Sequence, residues 1–233
     1  MRRLALLAAP VLMLLTGCAT HVPPPTVEAT FEMLPPRDEW KVQNRSQTER
    51  PFREVWYGLL AGLVKGPFIL ENASIDSGVI VASFAFASGE DYVDCGRSRR
   101  TYVRDGAEAE FDYAISSDSA YESGYNYDGC TTIRQIARDT TLEGRVDIRV
   151  IREGEGTVVA IDAEYKLTAA ASGSYEILCP DRTLSGLVDT HTRSVELSTT
   201  ESTEADWGVP GRPLPALCRC TGRLERDILA FVE

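Results

Sequence analysis

Residues 51–84 read PFREVWYGLLAGLVKGPFILENASIDSGVIVASF. In the first part, apolar residues recur three and four positions apart, which places them on one face of a helix over residues 51–64. The members of this face are Phe52, Val55, Trp56, Leu59, Leu60, Leu63 and Val64. Gly66-Pro67 ends the helix, because proline cannot continue it. Two β-favouring runs, residues 68–72 and 79–87, then flank a turn at Asp76-Ser77-Gly78. This pattern predicts a helix followed by a hairpin that packs under it.

Further strands are predicted downstream, where apolar and polar residues alternate. Val146, Ile148 and Val150 alternate within residues 142–152, and residues 157–168 return after a turn. Such alternation is typical of a strand with one buried and one wet face. We also expect a strand over residues 193–200.

The chain closes with a second amphipathic pattern over residues 221–232, in which Thr221 is the expected cap and four residues share a face: Leu224, Ile228, Leu229 and Val232. Two helices and about five to seven strands predict an α+β fold, an antiparallel sheet with two amphipathic helices packed on one face.

The stretch over residues 51–84 resembles the beginning of the helix-grip domains of BamC-like lipoproteins from the proteobacterial outer membrane. In that family a Phe-x-x-Val-Trp helix leads to a strand, a turn containing Ser-Gly and a second strand, and Phe52, Val55 and Trp56 match the helix motif. A long C-terminal helix also crosses the sheet there, as residues 221–232 would here. The resemblance implies a helix-grip-like fold and a location at the outer membrane.

The N-terminus has the features of an export signal. Arg2 and Arg3 precede a short apolar run over residues 4–15. A membrane-spanning helix needs about 20 apolar residues, so residues 1–17 are predicted to be a cleaved signal peptide. The sequence Leu15-Thr16-Gly17-Cys18 matches the lipobox of bacterial lipoproteins, in which the cysteine sulfur receives a diacylglycerol. We therefore expect lipidation of Cys18.

The lipobox also predicts where the chain resides and how it is divided. Ala19 follows the cysteine, and by resemblance to lipoprotein sorting the absence of Asp there favours the outer membrane, facing the periplasm. Five prolines fall within residues 20–36, so residues 18–36 are predicted to be a lipidated, semi-rigid tether. Residues 37–233 then form a single periplasmic domain.

Five further cysteines are candidates for disulfides in the oxidising periplasm: Cys95, Cys130, Cys179, Cys218 and Cys220. The simplest expectation is two disulfides and one remaining thiol, and the sequence does not indicate which cysteines pair. The alternative is a redox role for Cys218-Arg219-Cys220, because a helix N-terminus and an arginine both lower the pKa of a thiol. The Cys-x-Cys spacing and the missing βαβ pattern favour structural bridges instead.

The sequence contains few residues that could form a catalytic or metal site. A Ser/His/Asp hydrolase would have to use His191, and no Gly-x-Ser-x-Gly elbow accompanies it. There is no His-Glu-x-x-His, no phosphate-binding glycine loop and no pattern that supplies four zinc ligands. We therefore expect no metal, no cofactor and no enzymatic activity. The alternative is a periplasmic redox or hydrolytic enzyme that uses Cys218 and Cys220 or His191.

Residues 116–129, SSDSAYESGYNYDG, hold Tyr121, Tyr125 and Tyr127 in a segment without aliphatic residues. We expect a long polar loop, which either is simply solvated or uses its tyrosines to bind a glycan, peptidoglycan or a protein. The formal net charge of -11 argues against nucleic acid as a partner. Another envelope protein is the expected partner, together with the membrane that holds the lipid.

Overall fold

The computed structural model describes residues 23–37, 41–207 and 214–232. Strands hold 63% of these residues and helices only 10%, so the fold is mostly β. The predicted α+β class, a helix-grip-like sheet with two helices on one face, is therefore wrong. The physical reason is that strand pairing extends well beyond the apolar runs, into polar segments whose backbone groups are satisfied by neighbouring strands.

The described elements, in chain order, are β1 (Val27–Leu34), β2 (Arg45–Thr48), α1 (Phe52–Lys65), β3 (Phe68–Ser74), β4 (Val79–Phe86), β5 (Val93–Asp94), β6 (Arg97–Arg104), β7 (Ala107–Ala114), β8 (Ser119–Tyr127), β9 (Cys130–Glu153), β10 (Gly156–Leu178), β11 (Thr183–Ser198), β12 (Thr203–Asp206), β13 (Pro215–Cys220) and α2 (Arg223–Leu229). Every paired strand runs antiparallel to its neighbour.

A long hairpin of β9 and β10 forms the axis of the central sheet, which runs β11-β10-β9-β4-β3. β8 pairs with the first part of β9, and β4 pairs with its later part. Likewise β2 pairs with the start of β10, and β11 pairs with the remainder. The strands β9 and β10 therefore have different neighbouring strands at the two ends of the central sheet.

Two small sheets complete the fold. One has the order β1-β6-β7, and its Val27 and Tyr102 pack against Ile133 of β9 in a small second core. The other has the order β12-β13-β5 and leads into α2. The first small sheet contacts β8 and the second contacts β11, so they attach to different strands of the central sheet.

The main core lies on one face of the central sheet, beneath α1. Five residues of the predicted apolar face of the helix are buried: Phe52, Val55, Trp56, Leu59 and Leu63. The hairpin after the helix is also confirmed, since β3 and β4 pair across residues 68–84. The apolar face is narrower than expected, because Val64 is exposed.

The C-terminal helix is shorter than predicted, and its cap differs. α2 spans Arg223–Leu229, and its N-cap residue is Gly222 with φ of 72°, so Thr221 is not the cap residue. The Thr221 hydroxyl still accepts a hydrogen bond of 3.3 Å from the backbone N–H of Arg223. Leu224, Ile228 and Leu229 are buried, so the predicted apolar face is correct.

The predicted tether is wrong for Val27–Leu34, which forms β1 and pairs along its whole length with β6. The segment between Pro25 and Pro35 contains no proline, so its N–H groups are available for pairing. The predicted signal peptide and Cys18 lie outside the described residues. Within the described part of the chain, neither helix is long and apolar enough to cross a membrane.

Candidate functional site

Four of the five candidate cysteines lie in two pairs at disulfide distance. The sulfur atoms are 1.99 Å apart in Cys95–Cys218 and 2.07 Å apart in Cys130–Cys179. The first pair joins β13 to the segment after β5 in the main core, and the second joins the start of β9 to the end of β10. The second pair therefore closes the open end of the long hairpin, whereas the first pair lies in the main core.

Cys218 and Cys220 do not form the Cys-x-Cys pair of the redox alternative. Cys218 is bonded to Cys95, whereas the buried Sγ of Cys220 donates a hydrogen bond of 3.4 Å to the backbone oxygen of Thr199. A disulfide exchange site needs two neighbouring sulfurs that can bond to each other. The structure does not bring these two together in that way.

His191 lies in β11, opposite Ala171 of β10. Among the described residues, no serine or carboxylate forms a hydrogen bond with it. Nucleophilic catalysis by a serine requires a histidine within hydrogen-bond distance of the hydroxyl. The residues of the hydrolase alternative are therefore not assembled around His191.

The predicted tyrosine loop is a strand, because residues 119–127 form β8 and pair with β9. Tyr121, Tyr125 and Tyr127 alternate along β8 and so project from the same side. Tyr121 stacks on Tyr113 with ring centroids 5.6 Å apart, and the guanidinium of Arg100 lies 4.2 Å from its ring centroid. Burial raises the pKa of Tyr121. Tyr125 and Tyr127 remain exposed, so only two of the three are available to a ligand.

A buried polar cluster that the sequence did not reveal lies between β10 and α2. Glu225 is fully buried, and its Oε1 accepts hydrogen bonds of 2.7 Å from the hydroxyls of Tyr165 and Thr199. Burial and the charge of Glu225 raise the pKa of Tyr165. Oε2 of Glu225 has no hydrogen-bond partner among the described residues. From sequence, Glu225 is an ordinary acidic residue in a first helical turn.

A concave surface lies on the other face of the central sheet, opposite α1. This groove has a volume of about 740 Å³ and runs from Ile69 on β3 to Glu196 on β11. Two cross-strand rows form its floor. One row is Ile69, Ser83, Arg145, Glu164 and Ser198, and the next is Ala85, Glu143, Lys166 and Glu196. Residues directly opposite each other on antiparallel strands share a face.

Negative charge prevails in the groove, which is lined by four glutamates and two basic residues: Glu143, Glu164, Glu196, Glu201, Arg145 and Lys166. Both basic side chains already have acidic partners, since Lys166 lies 3.2 Å from Glu143 and Arg145 lies 3.3 Å from Asp147. Within the described ranges, Glu164, Glu196 and Glu201 form no salt bridge. The groove therefore presents carboxylates to a cationic ligand.

Four of these residues, Glu143, Arg145, Glu164 and Lys166, fall on the solvent-exposed faces of the strands predicted over 142–152 and 157–168, so the alternation was the signal that could have found them. Their grouping into a groove depends on β4 and β11, which lie far away in the chain. In the described part of the chain no three His, Cys, Asp or Glu side chains are placed to hold a metal ion. Comparison with family models, with curated proteins and with solved structures finds no match to this chain.

Proposed function

We propose that this chain is a lipid-anchored, non-catalytic lipoprotein of the outer membrane, faces the periplasm, and uses the groove to bind a basic segment of another envelope protein. The lipobox ending at Cys18 supports the anchor. The excess of glutamates on an open sheet face supports the binding role and is the observation that carries it.

The chemistry of the partner follows from charge complementarity. Glu164 and Glu196 lie in adjacent rows on neighbouring strands, and Glu201 lies beside them in the same groove. A segment rich in lysine or arginine would place its cations against these carboxylates, and its aliphatic stems would lie over the exposed side chain of Ile69. A polyanion would be repelled, as the net charge of -11 also indicates.

Site-specific crosslinking in intact cells tests the binding role. A photoreactive residue replaces Ser83 on the groove floor, and a control replaces Arg53 on the exposed side of α1. We expect a defined crosslinked protein from position 83, none from position 53, and a basic segment at the crosslinked site. Equal products from both positions would contradict the proposal.

Charge reversal provides a matched second test. Glu164→Lys combined with Glu196→Lys should abolish the crosslink, because both carboxylates would become cations facing a cationic partner. Glu28→Lys combined with Glu108→Lys changes the net charge equally on the small sheet β1-β6-β7 and should leave the crosslink intact. The wild-type crosslink should weaken as salt increases, since exposed charges are screened. A salt-independent crosslink that survives the groove variant would rule the groove out.

The anchor has its own test. Mass spectrometry of the native chain should show a mature N-terminus at Cys18 with acyl chains attached, and Cys18→Ala should release the protein from the membrane fraction. Retention of Met1, or a mature end without acyl mass, would contradict the anchor and leave the groove experiments to stand alone.

A further inference from the structure

Four chain segments meet at one end of the central sheet, which we call the tip. They are the turn Asp105-Gly106, the turn Asp128-Gly129, the turn 179–182 and the beginning of the described chain at residues 23–26. The Cys130–Cys179 bond joins the second and third segments. The backbone N–H of Thr26 donates a hydrogen bond of 3.1 Å to Asp105, and the hydroxyl of Thr131 donates one to the backbone oxygen of Pro25. The start of the described chain is therefore held at the tip.

The tip exposes large apolar side chains. Tyr127 is 76% exposed and Leu187 is 82% exposed, whereas Tyr125 and Leu184 are close to half exposed. Tyr125, Tyr127 and Leu184 lie on one face of the sheet, because Tyr125 and Leu184 belong to the same cross-strand row through Thr132 and Ile177. Leu187 projects from the opposite face. Apolar side chains are thus exposed on both faces near the end of the sheet, three on one face and Leu187 on the other.

The distribution over two faces identifies a suitable occupant. Apolar side chains on both faces of an exposed end suit the headgroup layer of a membrane, because this layer encloses an inserted end from all sides. Tyrosine favours this layer because its ring is apolar and its hydroxyl is polar. The tip has nearly balanced charge, since it contains two arginines and three aspartates: Arg104, Arg182, Asp105, Asp128 and Asp181. Its attraction to lipid would therefore come from apolar insertion rather than from anionic headgroups.

The length of chain before the tip agrees with this arrangement. Cys18 precedes Pro23 by five residues, which reach about 17 Å when fully extended. Given the lipid anchor of the proposed function, on which this inference rests, the tip must stay within that distance of the acyl chains. The opposite end of the central sheet then points away from the bilayer.

We propose that the tip inserts into the headgroup layer of the lipid bilayer that holds the anchor, with Tyr127, Leu184 and Leu187 in contact with lipid. The long hairpin then acts as a rigid spacer. Lys166 in the groove lies twelve residues along β10 from Leu178 at the tip, which is about 40 Å of strand. The groove is thereby presented to the periplasm well clear of the membrane surface.

Tryptophan fluorescence in vesicles tests the insertion. The acylated full-length chain, carrying Tyr127→Trp, is reconstituted into phosphatidylcholine vesicles with either normal or brominated acyl chains. The matched control is Tyr57→Trp, a substitution at an exposed tyrosine on α1. Subtracting the wild-type spectrum removes the contribution of the native tryptophans. We expect a blue-shifted signal for Tyr127→Trp, quenched at least twofold by bromine, and no bromine quenching for Tyr57→Trp.

The outcomes separate this inference from the anchor. One outcome is that the reconstituted protein carries acyl mass and floats with the vesicles, but Tyr127→Trp is not quenched. In that case the tip inference fails and the anchor stands. If no acyl mass is found, both fail. Two results without vesicles would overturn the lipid assignment. A blue shift on adding soluble peptidoglycan fragments would favour a glycan, and a blue shift on raising the protein concentration would favour a second copy of the chain.

Discussion

The hydroxyl of Tyr165 donates a hydrogen bond of 2.7 Å to Oε1 of Glu225, within the core between β10 and α2. Thr199 donates to the same oxygen, also at 2.7 Å. The hydroxyl of Tyr165 therefore depends on this carboxyl group, whereas the hydroxyl of Thr199 can also donate to the backbone oxygen of Ala163 at 3.4 Å. A buried polar atom that loses its partner costs about 1 to 3 kcal/mol. This cluster holds the short C-terminal helix against the central sheet.

Glu225→Ala should lower the free energy of unfolding by about 3 kcal/mol, because it leaves the Tyr165 hydroxyl without its acceptor, removes the shorter of the two hydrogen bonds open to the Thr199 hydroxyl, and opens a cavity. Glu225→Gln keeps the accepting oxygen and should cost less than half as much. Asp227→Ala, on the exposed side of the same helix, is the control and should change stability by about 0.5 kcal/mol or less. Urea denaturation measures all three. Equal losses for Glu225→Ala and Asp227→Ala would show that the cluster is not a support of the fold.

Stability should fall as the pH rises above about 10, and Tyr165 should contribute to the fall. Burial and the charge of Glu225 raise the pKa of Tyr165 in the folded state above its ordinary value of 10.0. As the pH rises, the unfolded chain loses the phenol proton before the folded protein does. The contribution of Tyr165 to the free energy of unfolding is therefore complete below pH 10 and decreases above it. The slope from one such group is at most about 1.4 kcal/mol per pH unit.

Tyr165→Phe should therefore show a shallower decrease in stability between pH 10 and 11 than the wild type. Thr199→Val is the matched control, because it removes a hydroxyl of the same cluster without removing an ionisable group, and it should keep the wild-type slope. Urea midpoints at pH 9, 10 and 11 give the slopes. If Tyr165→Phe and the wild type decline in parallel, the phenol does not control the alkaline limit.

Peptide mapping without reduction should recover the two disulfides. Trypsin cleaves after Arg219 and so separates Cys218 from Cys220. We expect one linked product joining the peptides that contain Cys95 and Cys218, and a second joining those that contain Cys130 and Cys179. Cys220 should be alkylated only after denaturation, because it is buried. A link between Cys220 and any other cysteine would refute this connectivity.

Gly144→Ala should destabilise the fold by at least about 2 kcal/mol. A Cβ at this position would lie 2.1 Å from the backbone oxygen of Glu164 and 2.4 Å from the ring of Phe84. The backbone must move to relieve such contacts, which makes them costly. Glu143→Ala, one residue earlier on the open face, is the control and should cost about 0.5 kcal/mol or less. Thermal melting compares the two, and similar melting temperatures would contradict the crowding at Gly144.

The elements predicted correctly have patterns contained within short segments. The period of α1 and its stop at Gly66-Pro67 occur within sixteen residues, 52–67, and the hairpin of β3 and β4 has its turn between two apolar runs. A local pattern records which face of an element avoids water, and this is sufficient to predict the element. It does not record how far a strand continues once a neighbour supplies hydrogen bonds.

The tyrosine-rich segment shows this limit. β8 has no apolar alternation because the nearby rings stack on Tyr113 or remain exposed, so its composition is that of a loop. Asp128-Gly129 is the signal that could have revealed it. Both residues have positive φ, 49° and 72°, as a tight hairpin turn requires. Asp105-Gly106 joins β6 and β7 in the same way.

By itself, the sequence determined α1, the apolar face of α2, the hairpins β3–β4 and β9–β10 and the number of cysteines available for bridging. Only the tertiary structure decided that Cys95 pairs with Cys218, that Glu225 is buried, that glutamates of β9, β10 and β11 share one groove, and that the described chain begins at the tip. Each of these relationships joins residues far apart in the chain. They depend on which faces of the elements meet, and the amphipathic period of a single element carries no information about its partner.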